Sequence, residues 1–174
     1  LPSSLFGEGL ERVGDTLVQL TWQNGRALRY DVTSFNALGA HEYRGEGWGL
    51  CFDGSDLWRS DGSSVLYRHD SQTFTETGRL AVSLDGRPPA RPNELECAEG
   101  WVYANVLNRE EIVRIDPGSG RVAAVIDASG LLGSGRPAPG PLNGIAYRSE
   151  MQTFLLTGKR WPAVFEVVFV NQER

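Results

Sequence analysis

Cysteine and histidine are both scarce in this 174-residue chain, and the scarcity removes several function classes. Two cysteines, Cys51 and Cys97, are too few for a disulfide scaffold. Whether they pair or stay as buried thiols is open, and neither state fixes a compartment. Two histidines, His41 and His69, are too few for a multi-His zinc centre. No apolar run reaches the roughly 18 residues that a membrane span needs, so no membrane partner is expected. No Lys/Arg block occurs, and 22 acidic residues outnumber 17 basic ones for a net charge of −5. That balance gives no reason to expect a nucleic-acid partner. A secretory leader is also missing, because Leu1-Pro2-Ser3-Ser4 has no initiator Met, basic start or apolar stretch. The chain reads as mature, or as lacking its N-terminal part. No helical period is present; Asp127–Leu132 is a short helical turn at most.

What is abundant is glycine, at 21 residues, and tryptophan, at five. The pairing suits short strands, tight turns and an aromatic site. The glycines also mark an internal repeat. Gly7-Glu8-Gly9-Leu10 opens one unit, Gly47-Trp48-Gly49-Leu50 a second, Asn93-Glu94-Leu95 a third and Asn143-Gly144-Ile145 a fourth. Apolar runs follow at Leu17–Leu20, Leu57–Ser60, Val102–Asn105 and Phe154–Leu156. Alternating strands come next at Ala27–Asp31, Val65–Asp70, Ile112–Asp116 and Val164–Val167, with further strands at Arg79–Val82 and Val122–Ile126. Asp31, Asp70 and Asp116 recur at the end of the third strand and read as Asx-turn formers.

Units of about 40–50 residues built from short strands predict an all-β fold, a β-propeller with four blade-like repeats. An all-β sandwich is the competing architecture. Residues 1–174 read as a single propeller domain, with repeats starting near 7, 47, 93 and 143 and the N-terminal blade apparently absent. The first strand of each blade lines the axis. Glu8, Trp48, Asn93 and Asn143 therefore occupy equivalent places on the ring. A carboxylate, an indole and two amides converging there make a polar pocket, unless the ring only lines a water channel.

These residues carry a resemblance. Phe6-Gly7-Glu8-Gly9, Leu20-Thr21-Trp22, Gly47-Trp48-Gly49-Leu50 and Asn93-Glu94-Leu95-Glu96 are similar, in order, to glutaminyl-peptide cyclotransferases of the plant and bacterial type. Tyr103-Ala104-Asn105-Val106, Leu142-Asn143-Gly144-Ile145 and Thr157-Gly158-Lys159-Arg160-Trp161-Pro162 continue the match. The resemblance implies a five-bladed propeller, with one unit opened by a Phe-Thr-Gln-Gly-Leu motif upstream of residue 1. Leu107 stands where the family usually has Trp.

The implied reaction cyclises an N-terminal glutamine to pyroglutamate and releases ammonia, with no cofactor and no metal. Glu8 is the expected general acid/base. Asn93 and Lys159 are the expected contacts to the amide and its developing oxyanion. Phe6, Trp22 and Trp48 are the expected walls of a slot for the glutamine side chain. Trp58 and Trp101 read as blade packing, Trp161 is open, and Asn143 is expected to hold adjacent strands. The implied partners are peptides with N-terminal glutamine, with a further chain or segment completing the ring. The implied location is extracytoplasmic. Two other readings stay open: a propeller lactonase holding a divalent metal on Glu8, Asn93 and Asn143, and a non-catalytic binding module.

Overall fold

A computed structural model describes residues 1–89, 91–133 and 139–170. Its described residues form fifteen strands and no helix. The first sheet is β1 (Gly7–Val13), β2 (Thr16–Thr21), β3 (Arg26–Asp31) and β4 (Ala37–Glu42). The second is β5 (Leu50–Phe52), β6 (Asp56–Arg59), β7 (Val65–Asp70) and β8 (Glu76–Ala81). The third is β9 (Pro92–Ala98), β10 (Trp101–Val106), β11 (Glu111–Ile115) and β12 (Val122–Asp127). The fourth holds β13 (Leu142–Arg148), β14 (Thr153–Gly158) and β15 (Phe165–Val167). Every sheet is an antiparallel meander in chain order, as the propeller reading expects. The inner strands stand side by side in sequence: β1 against β5, β5 against β9, β9 against β13. The stretch Asp127–Leu132 contains turns but no helix.

The turn chemistry follows the sequence. Asp31 Oδ1 accepts the Ser34 N–H at 2.8 Å, and Asp70 Oδ1 accepts the Thr73 N–H at 2.7 Å. Asp116 Oδ1 accepts the Gly118 N–H at 2.9 Å. Each closes the third-to-fourth-strand hairpin of its blade as an Asx turn.

The apolar cores lie between blades. Val18, Leu20, Leu50, Leu57 and Phe74 join the first two sheets. Trp58, Leu66, Leu95, Val102 and Ile115 join the second and third. Tyr103, Ile112, Leu142, Phe154 and Leu156 join the third and fourth. Leu20 and Leu57 are fully buried, and each such side chain contributes about 1.5–3 kcal/mol. The indole of Trp58 lies in one of these cores and that of Trp101 packs against another, as expected.

The three seams are also fastened at one repeated rung. Glu11, Cys51 and Glu96 each lie one residue beyond the repeat anchors Leu10, Leu50 and Leu95. Each meets the residue two beyond the next anchor. Glu11 Oε2 accepts the Phe52 N–H at 3.1 Å. Cys51 forms a disulfide with Cys97, which settles the open question of their pairing. The Tyr147 N–H faces the Glu96 carboxyl. Glycine precedes two of the anchors because the next inner strand leaves no room for a Cβ. At Gly9 it would lie 2.6 Å from Leu50 N, and at Gly49 2.2 Å from the Asn93 carbonyl oxygen.

Ser60 ties the second and third blades beneath the axis. Its buried hydroxyl accepts the Gly49 N–H at 2.8 Å and donates to the Asn93 carbonyl at 2.6 Å. Ser60→Ala is expected to leave both groups unpaired and to cost about 2 kcal/mol, since each buried orphan costs about 1–3 kcal/mol. Urea unfolding with an unchanged m-value checks this.

Candidate active site

Glu8 sits on β1 between Gly7 and Gly9, half-buried beside the axis. A hydrogen-bonded path runs from it around the ring. The Gly9 N–H donates to the Trp48 carbonyl at 2.7 Å, and the Trp48 N–H donates to the Ser60 carbonyl at 3.0 Å. Ser60 then reaches Asn93 through its hydroxyl. The structure thus places Glu8, Trp48 and Asn93 on or beside neighbouring inner strands. Asn93 is buried, with its backbone carbonyl committed to Ser60.

Lys159, the only lysine of the chain, follows β14 in an exposed turn. Its backbone is anchored by an N–H bond to the Pro141 carbonyl at 2.9 Å. Its ammonium acts on Glu8. Burial pushes the Glu8 carboxyl above the ordinary carboxylate range, Lys159 draws it back, and the Glu46 charge adds to the rise. A carboxyl poised in this way exchanges protons nearer neutrality than a free one.

Phe6, Trp22 and Trp48 are linked to one another through an aromatic contact and a shared carboxylate. Phe6 and Trp22 meet edge to face, with ring centroids 6.2 Å apart. Both are open to solvent, at 59% and 40% exposure. Trp48 is half-buried, and the guanidinium of Arg91 lies 5.0 Å from its ring centroid. Glu46 joins the wall together: one oxygen accepts the Trp22 indole N–H at 2.7 Å and the Trp48 indole N–H at 2.8 Å.

Trp161 belongs to packing. Its indole N–H donates to the Gly140 carbonyl at 2.8 Å, and its ring fills the space over Gly158. The strand-holding amide is Asn105, a correction to the expectation for Asn143. Fully buried Asn105 accepts the Gly144 N–H at 3.1 Å across the third seam. The Asn143 Oδ1 is buried with no hydrogen-bond partner among the described residues. His69 is buried, and desolvation pushes its pKa down to about 4. It is neutral, accepting from Arg59 Nε at 3.2 Å while Nδ1 donates to the Phe74 carbonyl at 3.0 Å.

No three His, Cys, Asp or Glu side chains among the described residues converge as metal ligands do. Two clefts of about 300 and 350 Å³ lie elsewhere, against Glu99 and Trp101 and against Ser83 and Arg121. Neither contains Glu8, Asn93 or Lys159.

Two further glutamates, Glu94 and Glu96, lie on β9. Burial pushes both Glu94 and Glu96 up to about 8, against an ordinary value of 4.5. The folded state therefore holds protons that the unfolded chain releases. Stability is expected to fall as pH rises from 4.5 through 8 and to level off beyond that. Glu96→Gln keeps an acceptor for the Tyr147 N–H and removes the titration, so it is expected to flatten this slope. Thermal midpoints measured across that window test it.

The profile of the glutamine cyclotransferase family matches residues 1–169. A glutaminyl-peptide cyclotransferase of Arabidopsis thaliana is 37% identical over 172 residues, covering 96% of this chain and 54% of that protein. The chain therefore spans about half the length of that relative. The crystal structure of Myxococcus xanthus glutaminyl cyclase superposes with a TM-score of 0.90 at 39% identity, over 98% of this chain and 76% of that one. Kuenenia stuttgartiensis hydrazine synthase, 14% identical with a TM-score of 0.61 over 92% of this chain and 45% of its own, shares the fold alone. With the family profile matched over residues 1–169 and the Arabidopsis and Myxococcus relatives at 37% and 39% identity, the chain belongs to the glutamine cyclotransferase family.

Proposed function

We propose that this protein is a metal-independent glutaminyl-peptide cyclotransferase, acting on peptides and proteins with N-terminal glutamine. The observation that carries the reading is Glu8, its carboxyl pushed above the ordinary range by burial and drawn back by the Lys159 charge, near Phe6, Trp22 and Trp48. The α-amine of the substrate attacks the side-chain amide carbon of the same residue. One N–C bond forms, the C–NH₂ bond breaks, and ammonia leaves. Glu8 takes the proton from the attacking amine and delivers it to the departing nitrogen, so it is regenerated each turnover. Asn93 and Lys159 donate to the oxygen that becomes negative, each such donor being worth about 3 kcal/mol in a shielded site. The aromatic wall folds the glutamine side chain back on its amine, and this near-attack geometry supplies much of the rate. Lys159 also disfavours a divalent cation beside Glu8, which weighs against the lactonase reading.

Residues 1–174 act as one propeller domain in this proposal. The Cys51–Cys97 bond fits an extracytoplasmic location. The test is ammonia release from a Gln-initiated dipeptide amide, with and without EDTA and with an N-acetylated control. Release that survives EDTA and disappears on acetylation supports the proposal. Release abolished by EDTA, or none at all from the full protein, overturns it.

A further inference from the structure

Glu46 has no part in the proton transfers above, yet its carboxylate accepts three side-chain hydrogen bonds. Its Oε2 accepts both indole N–H groups of the wall, from Trp22 at 2.7 Å and Trp48 at 2.8 Å. Its Oε1 accepts from Gln23 Nε2 at 3.1 Å. Trp22 follows β2, and Trp48 leads into β5. One carboxylate therefore spans the seam between the first two blades on the side of the site.

The backbone that carries Glu46 is also clamped. Arg59, fully buried, donates to the Glu46 carbonyl and, at 3.4 Å, to the Arg44 carbonyl. Its guanidinium lies over the rings of Tyr43 and Tyr67, 4.7 and 4.2 Å from their centroids. The Gly47 N–H donates to the Trp22 carbonyl at 2.9 Å. Beneath Trp48, Gly62 leaves the ring its space, since a Cβ there would lie 2.3 Å from the indole.

Trp22 gains little restraint elsewhere. It is 40% exposed and touches Phe6 only by an edge. Without the shared oxygen, its indole is free to turn.

We propose that Glu46 is a positioning and specificity residue: its carboxylate locks Trp22 and Trp48 into one wall and presents a fixed negative charge to the reacting amine. The proposal rests on the cyclotransferase reading for its substrate and on geometry for the rest. The N–H donors of Trp48, Gln23 and Trp22 hold the Glu46 carboxyl below the ordinary range, so the charge is present at neutral pH. Glu8 then sits among Lys159, Glu46, Tyr43 and Glu94, the charged and titratable groups around it. An incoming α-ammonium is attracted by Glu46 before it loses a proton to solvent and attacks as the neutral amine. A neutral, N-blocked terminus gains nothing from it.

Two substitutions separate charge from hydrogen bonding. Glu46→Gln keeps the shape and removes the charge. Glu46→Asp keeps the charge and withdraws the oxygens by one methylene. In ¹⁵N-labelled protein the five tryptophans give five indole N–H signals. Both variants are expected to move those of Trp22 and Trp48 and to speed their exchange with solvent, leaving the other three in place. The Glu8 carboxyl, followed by ¹³C NMR, is expected to titrate at lower pH in Glu46→Gln and close to the wild-type midpoint in Glu46→Asp. KM for a Gln-initiated dipeptide amide is expected to rise about tenfold in Glu46→Gln, the effect of losing about 1.4 kcal/mol, with kcat changed less. Unchanged indole signals and an unchanged Glu8 midpoint in Glu46→Gln overturn the proposal, as does a lowered Tm with no other effect. A wild-type protein that releases no ammonia defeats the cyclotransferase reading instead, and the two NMR readouts still decide the role of Glu46.

Discussion

Exchange of Glu8 for glutamine is expected to lower kcat/KM for ammonia release by roughly 10²–10⁴-fold, the range that a positioned proton-transfer group supplies. Glutamine fills the same half-buried space but can neither take the amine proton nor return it to the leaving nitrogen. The substitution removes a carboxylate that burial disfavours, so Tm is expected to hold or rise. Loss of activity with an intact fold is the signature of a shuttle. A residue that only anchored the α-ammonium by charge would instead raise KM and spare kcat. Steady-state kinetics with a Gln-initiated dipeptide amide, paired with thermal melts, separate the two outcomes.

Removal of the Cys51–Cys97 bond is expected to have the largest effect on stability. The bond closes a segment of sequence separation 46, for which the chain-entropy relation gives about 4 kcal/mol. In a chain of 174 residues that corresponds to a fall in Tm of roughly 10 °C. The bond occupies the rung that Glu11 and Glu96 serve in the flanking seams, so its loss leaves the middle seam as the one without a polar fastening at that level. The double variant Cys51→Ser/Cys97→Ser should melt lower than wild type, and a reductant should lower the wild type alone. Equal melting of both proteins would mean that the apolar core of Trp58, Leu95 and Ile115 holds the seam unaided.

Much of this architecture is legible in the sequence because a propeller repeats its instructions. The alternating strands that became β3, β7 and β11, and the aspartates that close their hairpins, recur at the same place in three units. That recurrence also puts Glu8, Trp48 and Asn93 at equivalent positions of the ring. What escaped detection lacks a repeated pattern. β4 (Ala37–Glu42) is rich in small and polar residues, with no β-branched side chain to mark it. The Cys51–Cys97 pairing depends on two inner strands standing side by side, which spacing alone does not reveal. Glu46 gave no signal either, because its partners Trp22 and Trp48 meet only when two blades are packed together. Asn105 was visible only as part of a shared motif; its service to Gly144 depends on the third seam. For the disulfide, Glu46 and Asn105 the missing information is a contact between blades, whereas β4 lacks a strand-like composition.

The central claim is that glutamine cyclises at the axial site of Glu8, Asn93 and Lys159. A crystal structure of the protein with a peptide bearing the pyroglutamyl product tests it most directly. The lactam ring is expected against Phe6, Trp22 and Trp48, with its carbonyl oxygen within hydrogen-bond reach of Asn93 or Lys159 and its nitrogen toward Glu8. A peptide bound instead in the cleft beside Glu99 and Trp101, with the axial site left untouched, would contradict it.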